Sequence, residues 1–141
     1  MYYQLESPIV ANARSSLKVN WTATYRLDSD IVAPYGKWVY YDNNKKYKEQ
    51  PDINYAANKT KLVAWMVSHC GTHNNRLGFA KKLGNYLQVD IYGACGNLAC
   101  PRNNQVKCKE MLKRDYKFYL AFENANCKDY VTEKFFQNAL E

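Results

Sequence analysis

The sequence predicts an α/β fold built on a parallel sheet, and three observations carry that prediction. The run Leu62-Val63-Ala64-Trp65-Met66-Val67 is apolar without interruption and has strand length, as expected of a strand covered on both faces. Residues 116–122 form an aromatic and apolar run of the same kind, the composition most at home in a strand. Between and after them, strand-like and helix-like patterns alternate, the order in which crossover helices join parallel strands.

The first sixty residues show no sustained period, and Pro8, Pro34, Gly36 and Pro51 interrupt any helix longer than two turns. That part reads as loops and short strands, and the polar stretch 40–58 reads as a connector. The character changes at Lys61, which puts a domain boundary near residue 60. After the first strand, Thr72 can cap a helix whose apolar positions Leu77, Ala80, Leu83 and Leu87 form one stripe, with Gly78 and Gly84 weakening it. Val89-Asp90-Ile91-Tyr92 reads as a second strand, and Cys108, Met111 and Leu112 mark a second helix ending near Arg114. The third strand is 116–122. A last helix is expected from about Val131, because Val131, Phe135, Phe136, Ala139 and Leu140 fall on one helical face. Three strands are too few for a finished nucleotide-binding sheet, so the stretch is expected to hold half of one.

Composition narrows the class. With 47% apolar and 15% aromatic residues in 141, the chain is globular and not a disordered tail. The net charge of +7, spread from Lys18 to Lys134, suits anionic partners or an ordinary solvated surface. Thirteen tyrosines would also suit a nucleic-acid binder, but the RNP, zinc-finger and basic-helix signatures are absent. The longest apolar run is six residues, against the roughly 20 needed to cross a bilayer. The protein is therefore expected to be cytosolic or to be targeted by a segment outside these residues. The sequons Asn20-Trp21-Thr22 and Asn58-Lys59-Thr60 favour the second option. Cys70, Cys95, Cys100, Cys108 and Cys127 suit an oxidising compartment, with an odd count leaving one unmatched within the chain. Their spacing does not fit a structural zinc site.

In open parallel sheets ligands bind beyond the carboxyl ends of the strands, and the third such place is the richest. Glu123, Asn124, Asp129, Tyr130, Thr132, Glu133 and Lys134 crowd between the last strand and the last helix. A helix starting near Tyr130 would point its unpaired N–H groups at a phosphate, with Lys134 adding charge. The neighbouring Glu133 can accept from both ribose hydroxyls. The same pair also fits a solvated first helical turn. Arg76, early in the first helix, is placed for bidentate phosphate contact or for the surface. His69 fits either a general base or a structural role. Gly93-Ala94-Cys95-Gly96 lacks the spacing of a phosphate loop. Asp28-Ser29-Asp30 has the spelling of a metal-holding acidic pair but lies in the irregular half, so no metal is expected.

These residues meet in one resemblance. Phe122-Glu123-Asn124 followed by Lys128-Asp129-Tyr130-Val131-Thr132-Glu133-Lys134-Phe135-Phe136 resembles the donor-binding motif of the α1,3/α1,4-fucosyltransferases. Upstream, residues 20–31 resemble the family's N-W-T-x-T-Y-R-x-D-S-D-I segment, Pro34-Tyr35-Gly36 its P-Y-G, and Glu6-Ser7-Pro8 its E-S-P. Residues 89–96 and Asn126-Cys127-Lys128-Asp129 are most similar to the invertebrate core α1,3 enzymes.

The resemblance implies a GT-B architecture, with residues 1–60 in the acceptor-side domain and connector and 61–141 in the first half of a Rossmann-like donor domain. It implies metal-independent, inverting transfer of fucose from GDP-β-L-fucose to N-glycans, without cofactor and without nucleic acid as partner. Glu6 is then the candidate base, since one-step inversion needs a proton acceptor opposite the leaving group. Arg76, Asn124, Tyr130, Glu133 and Lys134 match donor-contacting positions: Arg76 and Lys134 on diphosphate, Glu133 on ribose, Tyr130 on phosphate or ribose, and Asn124 near the nucleoside. A Golgi lumen location follows, with the membrane anchor outside this stretch, and these residues alone are expected to be poorly stable and inactive. His69, where the family has Asn, and Gly78, where it has a larger residue, depart from the pattern. A Lewis-type α1,3 enzyme acting on N-acetyllactosamine and a non-catalytic nucleotide-sugar-binding module stay open.

Overall fold

The computed structural model describes residues 2–4, 20–39, 54–100 and 102–138. Among these, the first part of the chain holds β1 (Tyr2–Gln4), β2 (Thr22–Thr24) and β3 (Ile31–Val32), paired in parallel in that order. The loops and short strands expected here are what the described residues show. The short return from β2 to β3 is closed by Asp30, whose carboxylate accepts from the Thr22 N–H at 2.8 Å and the Thr22 hydroxyl at 2.7 Å. The Thr24 and Ser29 hydroxyls bond across the same turn.

The second sheet consists of β4 (Lys61–Met66), β5 (Val89–Tyr92) and β6 (Tyr116–Tyr119), all parallel, in the order β5-β4-β6. Ala64 stands opposite Asp90 on one side and Tyr119 on the other. The connections are α1 (Arg76–Leu83) and α2 (Gln105–Asp115), the latter led by a 3₁₀ turn at Arg102–Asn104; α3 (Glu133–Phe136) follows β6. Side chains alternate across a strand, so β4 feeds two cores. Ala64 packs with Tyr92 and Tyr116 against Met111 and Leu112 of α2. Trp65 and Val67 pack with Ala80 and Leu77 of α1. The two crossover helices thus cover opposite faces, which is why residues 62–67 are apolar throughout. Burying Trp65 alone, at 1% exposure, contributes about 2–3 kcal/mol.

The disulfides Cys70–Cys95 and Cys100–Cys108 staple the loops that follow β4 and β5. Oxidation takes these four cysteines out of any zinc reading, and Cys127 belongs to neither bridge.

Several boundaries differ from the expected ones. Thr72 does not cap α1: Asn75 does, in a left-handed conformation (φ 50°) with its side chain accepting from the Gly78 N–H at 3.3 Å. Asparagine tolerates that conformation better than other non-glycine residues. A Cβ on Gly78 would stand 2.5 Å from the Asn75 Oδ1, so the glycine that weakened the helical pattern is what admits the cap. The helix ends at Leu83, which leaves Leu87 beyond it. The third strand stops at Tyr119 instead of residue 122, although Leu120 N–H still bonds to Ala64 O at 3.0 Å. Past that point the Phe122 carbonyl turns to the Arg76 side chain. The last helix is the largest correction. It has four residues, starts at Glu133, and leaves Val131 and Phe135 exposed, so no apolar stripe from Val131 is buried among the described residues. Ala139 and Leu140 lie outside the described residues.

Candidate functional site

With β4 in the centre, strand order reverses between β4 and β6, and the crevice at their carboxyl ends is where such sheets take ligands. Arg76 spans that crevice. As the first residue of α1, only 6% exposed, it donates from Nη1 to Phe122 O at 2.7 Å and from Nη2 to His69 O at 3.0 Å. Its guanidinium lies over the Trp65 ring at 5.5 Å. Burial lowers its affinity for a proton, an effect opposed by the nearby Glu123 carboxylate. Sequence reasoning placed this side chain at the crevice; the structure adds that it braces the two strand ends.

Immediately after β6, Glu123 organises the loop. Its carboxylate accepts from the Thr132 N–H at 2.7 Å and the Thr132 hydroxyl at 2.9 Å, and pairs with Lys134 Nζ at 3.2 Å. Thr132 in turn caps α3 by accepting from the Lys134 N–H. The start of α3 is therefore already satisfied by Glu123 and Thr132, which corrects the expectation of unpaired N–H groups starting near Tyr130. Lys134 also reaches Glu133 Oε1 at 3.0 Å, so one ammonium sits between two carboxylates. Partial burial raises the Glu133 carboxyl, but the hydrogen bond and charge of Lys134 outweigh it and hold the group below its ordinary value. Asn74 joins the loops from the other side, donating to Glu123 O at 3.0 Å and Asn126 Oδ1 at 3.1 Å.

Tyr130, 5% exposed, is wedged against residues from the first part of the chain: its ring centroid lies 4.9 Å from that of Tyr25 and 6.2 Å from that of Tyr35. Asp28 pairs with Arg26 and Lys128, and Asp30 is bonded to Thr22. Both acidic residues of Asp28-Ser29-Asp30 thus have structural uses.

Two hollows flank the crevice. One, of about 470 Å³, is lined by Asn74, Arg76, Phe79, Phe122, Glu123 and Tyr130 among others. The other, of about 340 Å³, has Ser68, Tyr92, Gly93 and Glu133 in its wall. Arg76 and Tyr130 therefore share one side while Glu133 faces the other, with Lys134 tied to Glu133 and Glu123. Buried side-chain atoms lacking a hydrogen-bond partner among the described residues are Thr72 Oγ1, Asn74 Oδ1, Arg76 Nε and Asn124 Oδ1, all in segments bordering the crevice. Buried polar atoms of this kind call for a hydrogen-bonding partner. His69 contributes its carbonyl, and Glu6 lies outside the described residues. No cluster of three or more metal-ligating side chains occurs among the described residues.

Sequence reasoning did not single out Asn74, it met Tyr25 only inside the segment 20–31, and it left Glu123 and Thr132 without roles of their own. Glu123 had a signal, a carboxylate directly after the best strand, and Thr132 directly precedes Glu133; Asn74 and Tyr25 reach the site only through tertiary contacts.

Comparison with known proteins identifies the family. A profile described as "Glycosyltransferase family 10 (fucosyltransferase) C-term" matches residues 56–141. The chain is 61% identical to the Drosophila melanogaster protein named glycoprotein 3-alpha-L-fucosyltransferase A, over 99% of its own length and 28% of that protein's. It is 40% identical to the Caenorhabditis elegans alpha-(1,3)-fucosyltransferase fut-1, over 100% and 33%. With a second fly protein, alpha-(1,3)-fucosyltransferase C, it shares 44% over 86% and 32%. The chain thus spans about a third or less of these relatives. The profile match and the identities over nearly the whole chain show that the chain belongs to glycosyltransferase family 10, the fucosyltransferases.

Proposed function

We propose that the protein to which this chain belongs transfers L-fucose from GDP-β-L-fucose, with inversion and without a metal, in α1,3 linkage to the GlcNAc of N-glycans of the core type. The observation that carries the reading is the Glu133–Lys134 pair beside the β4–β6 crevice. An ammonium held by carboxylates is poised to exchange one of them for a diphosphate, and a glutamate released from it can take the ribose hydroxyls. Arg76 and Lys134 then serve the diphosphate, Tyr130 the phosphate or ribose, and Asn124, whose Oδ1 has no partner among the described residues, the nucleoside. The acceptor hydroxyl attacks the anomeric carbon opposite GDP, the carbon–oxygen bond to the diphosphate breaks, and Glu6 takes the proton. Lys134 offsets the charge gathering on the departing GDP.

This reading includes a GT-B arrangement, with residues 1–60 on the acceptor side and 61–141 in a Rossmann-like donor domain. It places the enzyme in the Golgi lumen as a type II membrane protein whose anchor lies outside these 141 residues. The 61% identity to a relative named for glycoproteins favours the core acceptor over N-acetyllactosamine, since the relatives named for 4-galactosyl-N-acetylglucosaminide stand at 40–43%.

The test is an assay of the protein expressed from its full gene, with GDP-fucose and with N-glycopeptide and N-acetyllactosamine acceptors, read by mass shift and linkage. Transfer to the glycopeptide core, lost in Lys134→Ala and Glu133→Ala, is expected. Transfer to N-acetyllactosamine alone would replace the acceptor, and undiminished turnover in both variants would overturn the site.

A further inference from the structure

Asn58 sits in a turn at the opposite end of the sheet from the crevice. The turn is closed by Ala56 N–H to Asn54 Oδ1 at 3.0 Å and Ala57 N–H to Asn54 O at 3.0 Å, and Lys59 N–H returns to Ala56 O at 3.3 Å. Asn58 itself is exposed and left-handed, with φ 61°. We propose that Asn58 carries an N-linked glycan, added from a lipid-diphosphate-linked oligosaccharide of the secretory pathway. In that transfer Asn58 Nδ2 bonds to the anomeric carbon, the bond from that carbon to the lipid diphosphate breaks, and the amide gives up one proton.

The left-handed turn by itself accounts for an asparagine at 58, since Asn and Gly fill such positions most easily. It does not account for the threonine two residues on. Thr60 is exposed, and its hydroxyl has no hydrogen bond among the described residues that would give it another use. At the other sequon, Thr22 is a half-buried strand residue whose hydroxyl is committed to Asp30, as donor at 2.7 Å and as acceptor at 3.1 Å. The Thr60 hydroxyl is instead what an Asn-x-Thr acceptor requires.

The position also suits the fold. Asn58 precedes β4, while the crevice lies beyond Met66, and a strand of six residues spans roughly 20 Å. A glycan on this turn extends into solvent at the amino-terminal end of the sheet and leaves the crevice open. The inference rests on the secretory location within the proposed function.

The experiment is glycopeptide mass spectrometry of the full protein recovered from insect cells, on the peptide that contains Asn58, with fucosyl transfer measured on the same preparation. Glycan is expected at Asn58 on most molecules, lost in Asn58→Gly and in Thr60→Val, and kept in Thr60→Ser. Asn58→Gly preserves the left-handed turn, so loss of the glycan there with transfer within about twofold of wild type separates modification from folding. Unmodified Asn58 in active wild-type protein overturns this inference alone. Glycan at Asn58 in a protein that transfers no fucose upholds it and overturns the proposed function instead.

Discussion

Asp129 Oδ2 accepts a hydrogen bond from the Leu27 N–H at 3.1 Å, across 102 positions of sequence. Beside it Lys128 Nζ meets Asp28 Oδ2 at 3.1 Å, and Arg26 grips the same aspartate at 2.5 Å. This clamp holds the segment after β2 against the loop that carries Tyr130.

The clamp predicts a particular acid dependence. Hydrogen bonds from Arg26 first, then from Lys128, hold the Asp28 carboxyl well below the usual carboxylate range. A carboxyl depressed in the folded state stabilises at every pH above its unfolded value, roughly 4, and that contribution is lost as pH falls through the folded value. The difference in melting temperature between wild type and Asp28→Asn should stay constant from about pH 9 to about pH 4 and close below that. Melts across that range check it, and a gap that narrows between pH 5 and 8 counts against the clamp.

Arg76 should be intolerant of lysine. A single ammonium cannot reach both carbonyls in the fork geometry that a guanidinium supplies, so Arg76→Lys is expected to cost about 1–2 kcal/mol and Arg76→Met about 2–3 kcal/mol, as the two part-buried bonds are lost. Urea unfolding midpoints measure this. Equal stability of all three proteins would show that the brace carries no energy.

At Glu123, charge and hydrogen bonding can be separated. Glu123→Gln keeps an acceptor for the Thr132 N–H and should cost about 1 kcal/mol, whereas Glu123→Ala strands two donors of a residue that is 1% exposed and should cost about 2–3 kcal/mol. Thermal denaturation of both variants resolves the order, and a reversed order would mean that the carboxylate charge matters more than the cap.

Gly36 lies against the Phe136 ring: a Cβ there would come within 2.6–2.8 Å of three ring carbons. Gly36→Ala should therefore lose about 1–3 kcal/mol by overpacking. Phe136→Ala removes the obstacle, so the double variant should be more stable than the sum of the single losses. A double-mutant cycle tests this, and additivity would place the two residues out of contact.

Much of the sheet was legible because its signals are local. The run 62–67 announces a strand buried on both faces, and the four residues of β5 fall where their pattern puts them. The cluster of Glu123, Asn124, Tyr130, Thr132, Glu133 and Lys134 was legible from the segment that follows the third strand. What could not be read were features set by partners distant in sequence. Nothing near Arg76 reveals that its fork closes on the carbonyls of His69 and Phe122, and nothing near residue 133 shows Glu123 reaching forward to Thr132. The apolar spacing from Val131 onward suggested a longer helix, but the first of those positions stands outside α3 and exposed. Thr72 looked like a cap because threonine usually is one; the left-handed Asn75 displaced it.

The brace has one more consequence. Both groups that Arg76 grips are main-chain carbonyls, which every amino acid possesses. The residues at positions 69 and 122 can therefore drift without loosening the grip, provided the backbone keeps its path. A histidine at 69 is tolerated by this joint because the joint never reads the side chain.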